Sequence, residues 1–182
     1  GYLVAGGTKL HKIMMIIGPR RSGKGTIGRV LNKLLGAENC CGPTLGSLSG
    51  DFGLAPLLGK SLATIPDARF AAGQKKVVER LLMVSGEDVV TVDRKHKDAV
   101  ECILPTRFLI MSNELPALED ASSALSSRFV LLTMCNSFLG HEDHDLQEKL
   151  IAELPGILNW ALDGWVRLNK SKRFAAALYQ RP

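Results

Sequence analysis

The 182-residue sequence has no apolar run near the ~20 residues that a membrane-spanning helix requires. The longest candidates, Ile13 to Ile17 and Phe129 to Met134, are strand-sized and end at glycine or polar positions, which excludes a membrane-crossing helix. The start lacks the basic segment and long apolar core of a secretory leader, and because Gly1 stands there instead of Met the chain reads as a piece of something larger. Cysteine is scarce: Cys40, Cys41, Cys102 and Cys135 match no zinc spacing, and Cys102 and Cys135 fall in apolar strand-like runs where reduced core thiols are expected. A chain of this size does not need disulfide staples, so a reducing, cytoplasmic setting is expected. Repeats and low-complexity tracts are missing too. Charge of one sign is only mildly in excess, +5 with a pI near 9.1, short of a histone-like binder, so the placing of basic residues matters more than their number. What is present, 46% hydrophobic residues, is normal for one globular domain and excludes disorder and fibres.

Along the chain, the apolar stretch Lys12 to Ile17 runs into Gly18-Pro19-Arg20-Arg21-Ser22-Gly23-Lys24-Gly25-Thr26. Ile27, Val30, Leu31, Leu34 and Leu35 then recur at helical spacing until Gly36, which predicts strand, glycine loop and helix. Cys40 to Lys60 is rich in Gly, Ser and Pro and should hold one short helix among loops. A strand over Ser61 to Ile65 ends at Pro66-Asp67, and a helix buries Val77, Val78, Leu81, Leu82 and Phe70 before stopping at Ser85-Gly86. Asp88 to Val92 and Ala99 to Ile103 alternate polar and apolar around Arg94-Lys95-His96-Lys97, which predicts a β-hairpin with a cationic tip; a solvated face is the plain alternative.

Phe108 to Met111 reads as a buried strand broken at Ser112-Asn113-Glu114-Leu115-Pro116. A helix over Leu118 to Ser127 leads through Arg128 to the strand Phe129 to Met134. The last third reads as helices over Asp145 to Leu154 and Ile157 to Asn169 separated by Pro155-Gly156, with Trp160 and Trp165 expected in the core, and beyond Lys170 as a frayed end or a stub. Alternating strands and helices imply an α/β fold with a parallel central sheet flanked by helices. Residues 1–140 form the core of that reading, with 141–182 a helical segment packed on the same domain.

Gly18 and Gly23-Lys24 stand at the spacing of a phosphate loop, in which backbone N–H groups wrap the β-phosphate and the lysine reaches the β and γ oxygens. The preceding strand and following helix are the context this motif needs; a glycine-rich turn is the alternative. Gly25 follows the lysine, so the hydroxyl that usually touches magnesium is displaced to Thr26, which either takes that role or leaves the metal held through water. The same GKGT ending occurs in adenylate-kinase-type enzymes, so a nucleoside-monophosphate-kinase-like enzyme, or a nucleotide-binding module without motor activity, is the alternative function.

An ATPase also needs a carboxylate near the metal at the end of a neighbouring strand, and Asp67 stands there, unless it only caps the following helix. The second acid that often accompanies it is replaced by Ala68. The base then comes from elsewhere, with Glu79 or Glu87 as weak candidates, or Asp67 serves both metal and water. Asn113, at a strand tip, could hold the attacking water; a turn former is the alternative. Arg128 could reach a neighbouring subunit's nucleotide, or sit in a surface ion pair.

Taken together, these segments resemble the superfamily 3 helicase domain of phage, plasmid and poxvirus-type primase-helicases. GPRRSGKGT is similar to its A motif, SLATIPDARF to its B motif, SGEDVVTVDRKHKD to its B′ motif and RFLIMSNELPAL to its C motif. ALSSRF and LPGILNWALDGW resemble the region beyond the C motif. The resemblance implies an AAA+-like P-loop NTPase with an inserted basic hairpin: a ring-forming, hexameric motor that hydrolyses ATP with Mg2+ and moves on single-stranded DNA during replication of a mobile element in a bacterial host. In that frame Lys24 and Thr26 bind phosphate and magnesium, Asp67 holds the metal, Asn113 is the sensor, Arg128 is the finger given to the next subunit, and Arg94, Lys95, His96 and Lys97 contact DNA. Family members carry a primase and a helical linker upstream, so these 182 residues alone are expected to be mostly monomeric and poor at unwinding.

Overall fold

A computed structural model describes residues 1–70, 74–115 and 122–174. The first half runs α1 (Tyr2–Ala5), β1 (Ile13–Ile17), α2 (Lys24–Leu35), β2 (Cys40–Cys41), α3 (Leu45–Ser49), β3 (Leu62–Ile65) and α4 (Lys75–Ser85). The second runs β4 (Val89–Arg94), β5 (Lys97–Ile103), β6 (Arg107–Ser112), α5 (Ser122–Arg128), β7 (Phe129–Thr133), α6 (Leu146–Ala152) and α7 (Leu154–Ser171). Five strands form one parallel sheet in the order β2-β3-β6-β1-β7, while β4 and β5 pair antiparallel as a separate hairpin.

Successive residues of a strand face opposite sides, and both sides of the central strands are covered, so these strands are continuously apolar. Phe108 and Ile110 of β6 join Ile13 and Met15 of β1 in a core closed by Leu48, Leu81, Val84, Val90 and Val92, from α3, α4 and the hairpin. Leu109 and Met111 face the other way, toward Ile16, Leu62, Tyr2, Leu3 and Leu168, under α1 and α7. Central β3 and β6 are buried throughout, whereas Leu131 and Leu132 of the edge strand β7 are exposed.

Several expectations are corrected. The short N-terminal helix α1 and the edge strand β2 have no signal in the sequence pattern, and β4 and β5 extend through Arg94 and Lys97, leaving only Lys95-His96 in the turn. Pro155-Gly156 does not separate the last helices: the break falls at Glu153, and Pro155 lies in the first turn of α7, where its missing N–H has no partner to lose. Trp160 is 70% exposed and Trp165 half-buried, because the buried stripe of α7 runs through Ala161 and Leu168. Cys135 is exposed instead of buried and Cys102 is half-buried; all four thiols are free, and burial pushes that of Cys41 up to about 11. The predicted helix over Leu118 to Ser127 lies partly outside the described residues, which resume in α5. The last helix continues to Ser171, and Phe174 packs edge-on against Tyr2, so the chain is still ordered past Lys170; 175–182 lie outside the described residues. Among the described residues no helix is long and apolar enough to cross a membrane.

Candidate nucleotide site

In a parallel sheet all strands end at one edge, so the segments leaving β1, β3 and β6 emerge together. β6 lies between β1 and β3, in register Ile17 with Ser112 and Ile65 with Ile110. That order places Asn113 between the loop Gly18–Gly23 and Asp67. Asn113 Nδ2 donates to Asp67 Oδ1 at 3.3 Å, and Ala68 N donates to Met111 O at 2.7 Å, pinning the turn. Asp67 takes a left-handed φ of 49°, which a short polar residue tolerates better than most, and among the described residues it caps no helix: α4 starts at Lys75 with Gln74 as its N-cap.

The loop itself is wrapped around Lys24. Its ammonium donates to Gly18 O and Pro19 O, each at 2.7 Å, and to Ser22 Oγ at 3.2 Å, using all three donors. Burial lowers the Lys24 pKa from its ordinary value and the Asp67 carboxylate opposes that shift, so the two charges feel each other. Gly23 caps α2 in a left-handed conformation (φ 90°), and Lys24 begins the helix, so free N–H groups of its first turn face the loop.

Gly18 is required for a different reason. A Cβ there would stand 2.6 Å from Met134 O and 2.9 Å from Met134 Cβ, where the chain leaves β7. Gly18→Ala is therefore expected to destabilise the fold by about 2 kcal/mol through overpacking, read as a lowered Tm with nucleotide binding weakened in parallel. An unchanged Tm would mean that this approach is looser than the geometry indicates.

Lys24, Thr26, Asp67 and Asn113 thus gather at one edge, with Pro19, Arg20, Arg21 and Gly25 on the exposed rim and Ser22 buried beneath. Arg128 is elsewhere. It precedes β7 and so lies at the starting edge of the sheet, a strand's length of about 17 Å from the loop, where Nη1 donates to Leu82 O at 3.3 Å and Ser85 Oγ at 3.1 Å. Glu87 is also at that starting edge, accepting from Thr8 Oγ1 at 2.6 Å, and Glu79 is exposed on α4. Ala68, at the place of the second acid, is 3% exposed within the apolar core, so a carboxylate there would be buried instead of facing water.

Lys95, His96 and Lys97 are exposed on the hairpin tip, where His96 supplies the left-handed turn residue (φ 57°). Arg94 differs: its Nε and Nη2 donate to Asp98 O at 2.9 and 2.7 Å, bracing the turn. Two further basic residues at the site escape the motif pattern. Arg69 Nη2 lies 3.5 Å from Asp67 Oδ2, and Arg29 Nη2 donates to Thr26 Oγ1 at 3.1 Å while its Nε reaches Gln147 of α6. Arg29 was findable, since it lies one helical turn beyond Thr26 on the same face.

A glycine loop after one strand, a carboxylate after a second and an amide on the strand between them meet at one edge of a parallel α/β sheet, and this fold is shared with solved structures that include a helicase. Residues 16–128 match the family described as "Family of unknown function (DUF5906)", and the chain belongs to that family. It is 33% identical over 113 residues to Replication protein E1 of European elk papillomavirus, a stretch that is 62% of this chain and 18% of that protein. Its fold is similar to the NrS-1 C-terminal region (TM-score 0.65, 20% identity, 81% of this chain and 36% of that one). It is also similar to JCV helicase (TM-score 0.53, 16% identity, 78% of this chain and 41% of that one). The chain therefore spans well under half of each of these relatives.

Proposed function

We propose that this chain is the motor core of a replicative DNA helicase of a phage, prophage or plasmid, hydrolysing ATP with Mg2+ as a hexameric ring on single-stranded DNA in the host cytoplasm. The observation that carries the reading is the convergence of Lys24, Asp67 and Asn113 on one sheet edge in a chain that also presents a cationic hairpin. Identity to a papillomavirus replication protein supports the replicative part.

The donor set fits the nucleotide and its metal. Phosphate oxygens can replace the loop carbonyls around Lys24, and free N–H groups at the start of α2 point at the same place. Among the described residues no group of three or more His, Cys, Asp or Glu could cage a metal by itself. Magnesium is commonly held by one carboxylate, waters and substrate phosphates. Bound there, the ion supplies charge neutralisation at the transferring phosphate. Asp67 offers the carboxylate; the guanidinium on Thr26 Oγ1 disfavours a cation at that hydroxyl and favours contact through water. Asn113 can orient the attacking water beside Asp67, and Lys24 balances charge building on the β and γ oxygens.

The hairpin tip has cations and no aromatic ring, which suits phosphates and not base stacking, so DNA binding should ignore sequence and fall steeply with salt. Lys95→Glu tests this in an assay of ATP hydrolysis with and without single-stranded DNA, run at two salt levels. Loss of DNA stimulation, with DNA affinity reduced about tenfold or more and basal turnover kept, is expected of a DNA motor. A parent whose turnover DNA does not change assigns the chain to nucleotide binding without movement on DNA, and stimulation of Lys95→Glu equal to that of a stimulated parent removes Lys95 from the DNA contact.

A further inference from the structure

A nucleoside triphosphate is a rod with two ends, and the site determines which way it lies. Asp67 and Asn113 take the γ end on the β3 and β6 flank of the loop, so the nucleoside must leave on the other flank, where the neighbour of β1 is β7. There the chain leaving β7 folds back across the loop as a strap. Met134 N donates to Ile17 O at 2.7 Å, Ser137 Oγ donates to Arg20 O at 2.8 Å and Phe138 N donates to Arg21 O at 3.0 Å. Arg21 Nε also pairs with Glu142 Oε1 at 3.4 Å.

The strap is a built turn. His141 N returns to Phe138 O at 2.8 Å, Leu139 N donates to Ser137 Oγ at 3.3 Å, and Gly140 takes the left-handed position with φ 80°. On this turn two adjacent large apolar side chains stand in solvent, Phe138 51% and Leu139 69% exposed, beside a loop whose exposed rim carries Arg20 and Arg21. Resting on the phosphate-loop reading above, we propose that Phe138 and Leu139 are the nucleobase platform of the site, the phenyl ring stacking on a purine while the strap's bonds to Arg20 and Arg21 fix its height above the loop. Stacking needs only a π-face, so the platform favours a purine nucleotide over a bare polyphosphate without reading every edge of the base. It also couples the nucleoside end to the phosphate end through three contacts of one loop.

The test is calorimetric titration with ATP and, as the probe lacking a base, inorganic tripolyphosphate, each with Mg2+. It compares the parent chain, Phe138→Ala, Phe138→Tyr and Lys24→Ala, with Tm recorded for each. The expected result is that the parent prefers ATP and that Phe138→Ala weakens ATP about tenfold without changing tripolyphosphate affinity. Phe138→Tyr stays near the parent and Lys24→Ala weakens both ligands. If Phe138→Ala leaves the preference for ATP intact, or weakens both ligands alike, the platform is overturned. It is overturned equally if the substitution alters only sedimentation, which assigns the patch to contacts between copies. A parent that binds neither ligand, or a Lys24→Ala chain that binds both normally, removes the phosphate-loop reading and this one with it, a result distinct from the others.

Discussion

Asp67→Asn is expected to reduce ATP turnover about a hundredfold or more while leaving ATP bound, the loss typical of removing one preorganised charge from a phosphoryl-transfer site. The substitution keeps the side chain's shape and its contact with Asn113 and removes only the charge. That charge faces the Arg69 guanidinium at 3.5 Å and acts on Lys24 across the cleft. With Mg2+, the variant should bind ATP less well, having lost the carboxylate that suits the ion. Without Mg2+ the sign reverses, because a negative charge has been withdrawn from beside a polyanion, and affinity should be equal or higher. Titrating ATP with and without the metal, alongside steady-state hydrolysis, reads both effects. Turnover within threefold of the parent would remove Asp67 from the chemistry, and since Ala68 is buried and Glu87 belongs to the far edge, it would leave the exposed Glu79 as the acid to test next.

Local signals carried most of the fold. The unit from Lys12 to Gly36 announces its strand, loop and helix through apolar runs and two kinds of glycine, and the structure keeps the order with β1 and α2. The hairpin was readable because β4 alternates, with Val90 and Val92 inward. What could not be read depended on distant partners. β2 is a Cys-Cys pair that is a strand only because Leu62 and Ala63 lie beside it. The strap over the loop joins Ser137 to Arg20 across 117 positions, and nothing near Phe138 in the chain hints at that neighbour. In α7 the apolar set was recognised but not its rotation: the stripe that packs is Leu154, Ile157, Ala161, Gly164 or Trp165, and Leu168, at helical spacing. Leu158, Trp160 and Leu162 fall off that stripe and stay in solvent. The gathering of Gly18, Asp67 and Asn113 was legible for a different reason: strands of a parallel sheet deliver their ends together, so these residues needed only the right strand order to meet.

Arg128→Ala and Lys24→Ala are each expected to be inactive as pure chains and to regain hydrolysis when mixed. Arg128 cannot serve its own loop, because the length of the sheet lies between them and its guanidinium donates instead to Leu82 O and Ser85 Oγ at the end of α4. Carbonyls at a helix C-terminus hold a cation weakly enough to release it to a stronger anion. A triphosphate on a neighbouring copy is such an anion, and an arginine placed there in trans typically contributes about a thousandfold to turnover. In a ring built from equal amounts of the two variants, an interface is complete when one side keeps Lys24 and the other keeps Arg128. Random assembly makes about a quarter of the interfaces complete, so mixed turnover should approach that fraction of the parent's and grow faster than linearly with protein concentration. The experiment is read where sedimentation shows that the two variants assemble together. ATP binding by Arg128→Ala should match the parent's, since the residue touches no part of its own loop. If mixing restores nothing although both variants assemble, or if Arg128→Ala alone turns over normally, then Arg128 is a brace between α4 and β7 and the charge on the γ-phosphate is met by a residue of the same chain, for which Arg69, beside Asp67, is the candidate to test.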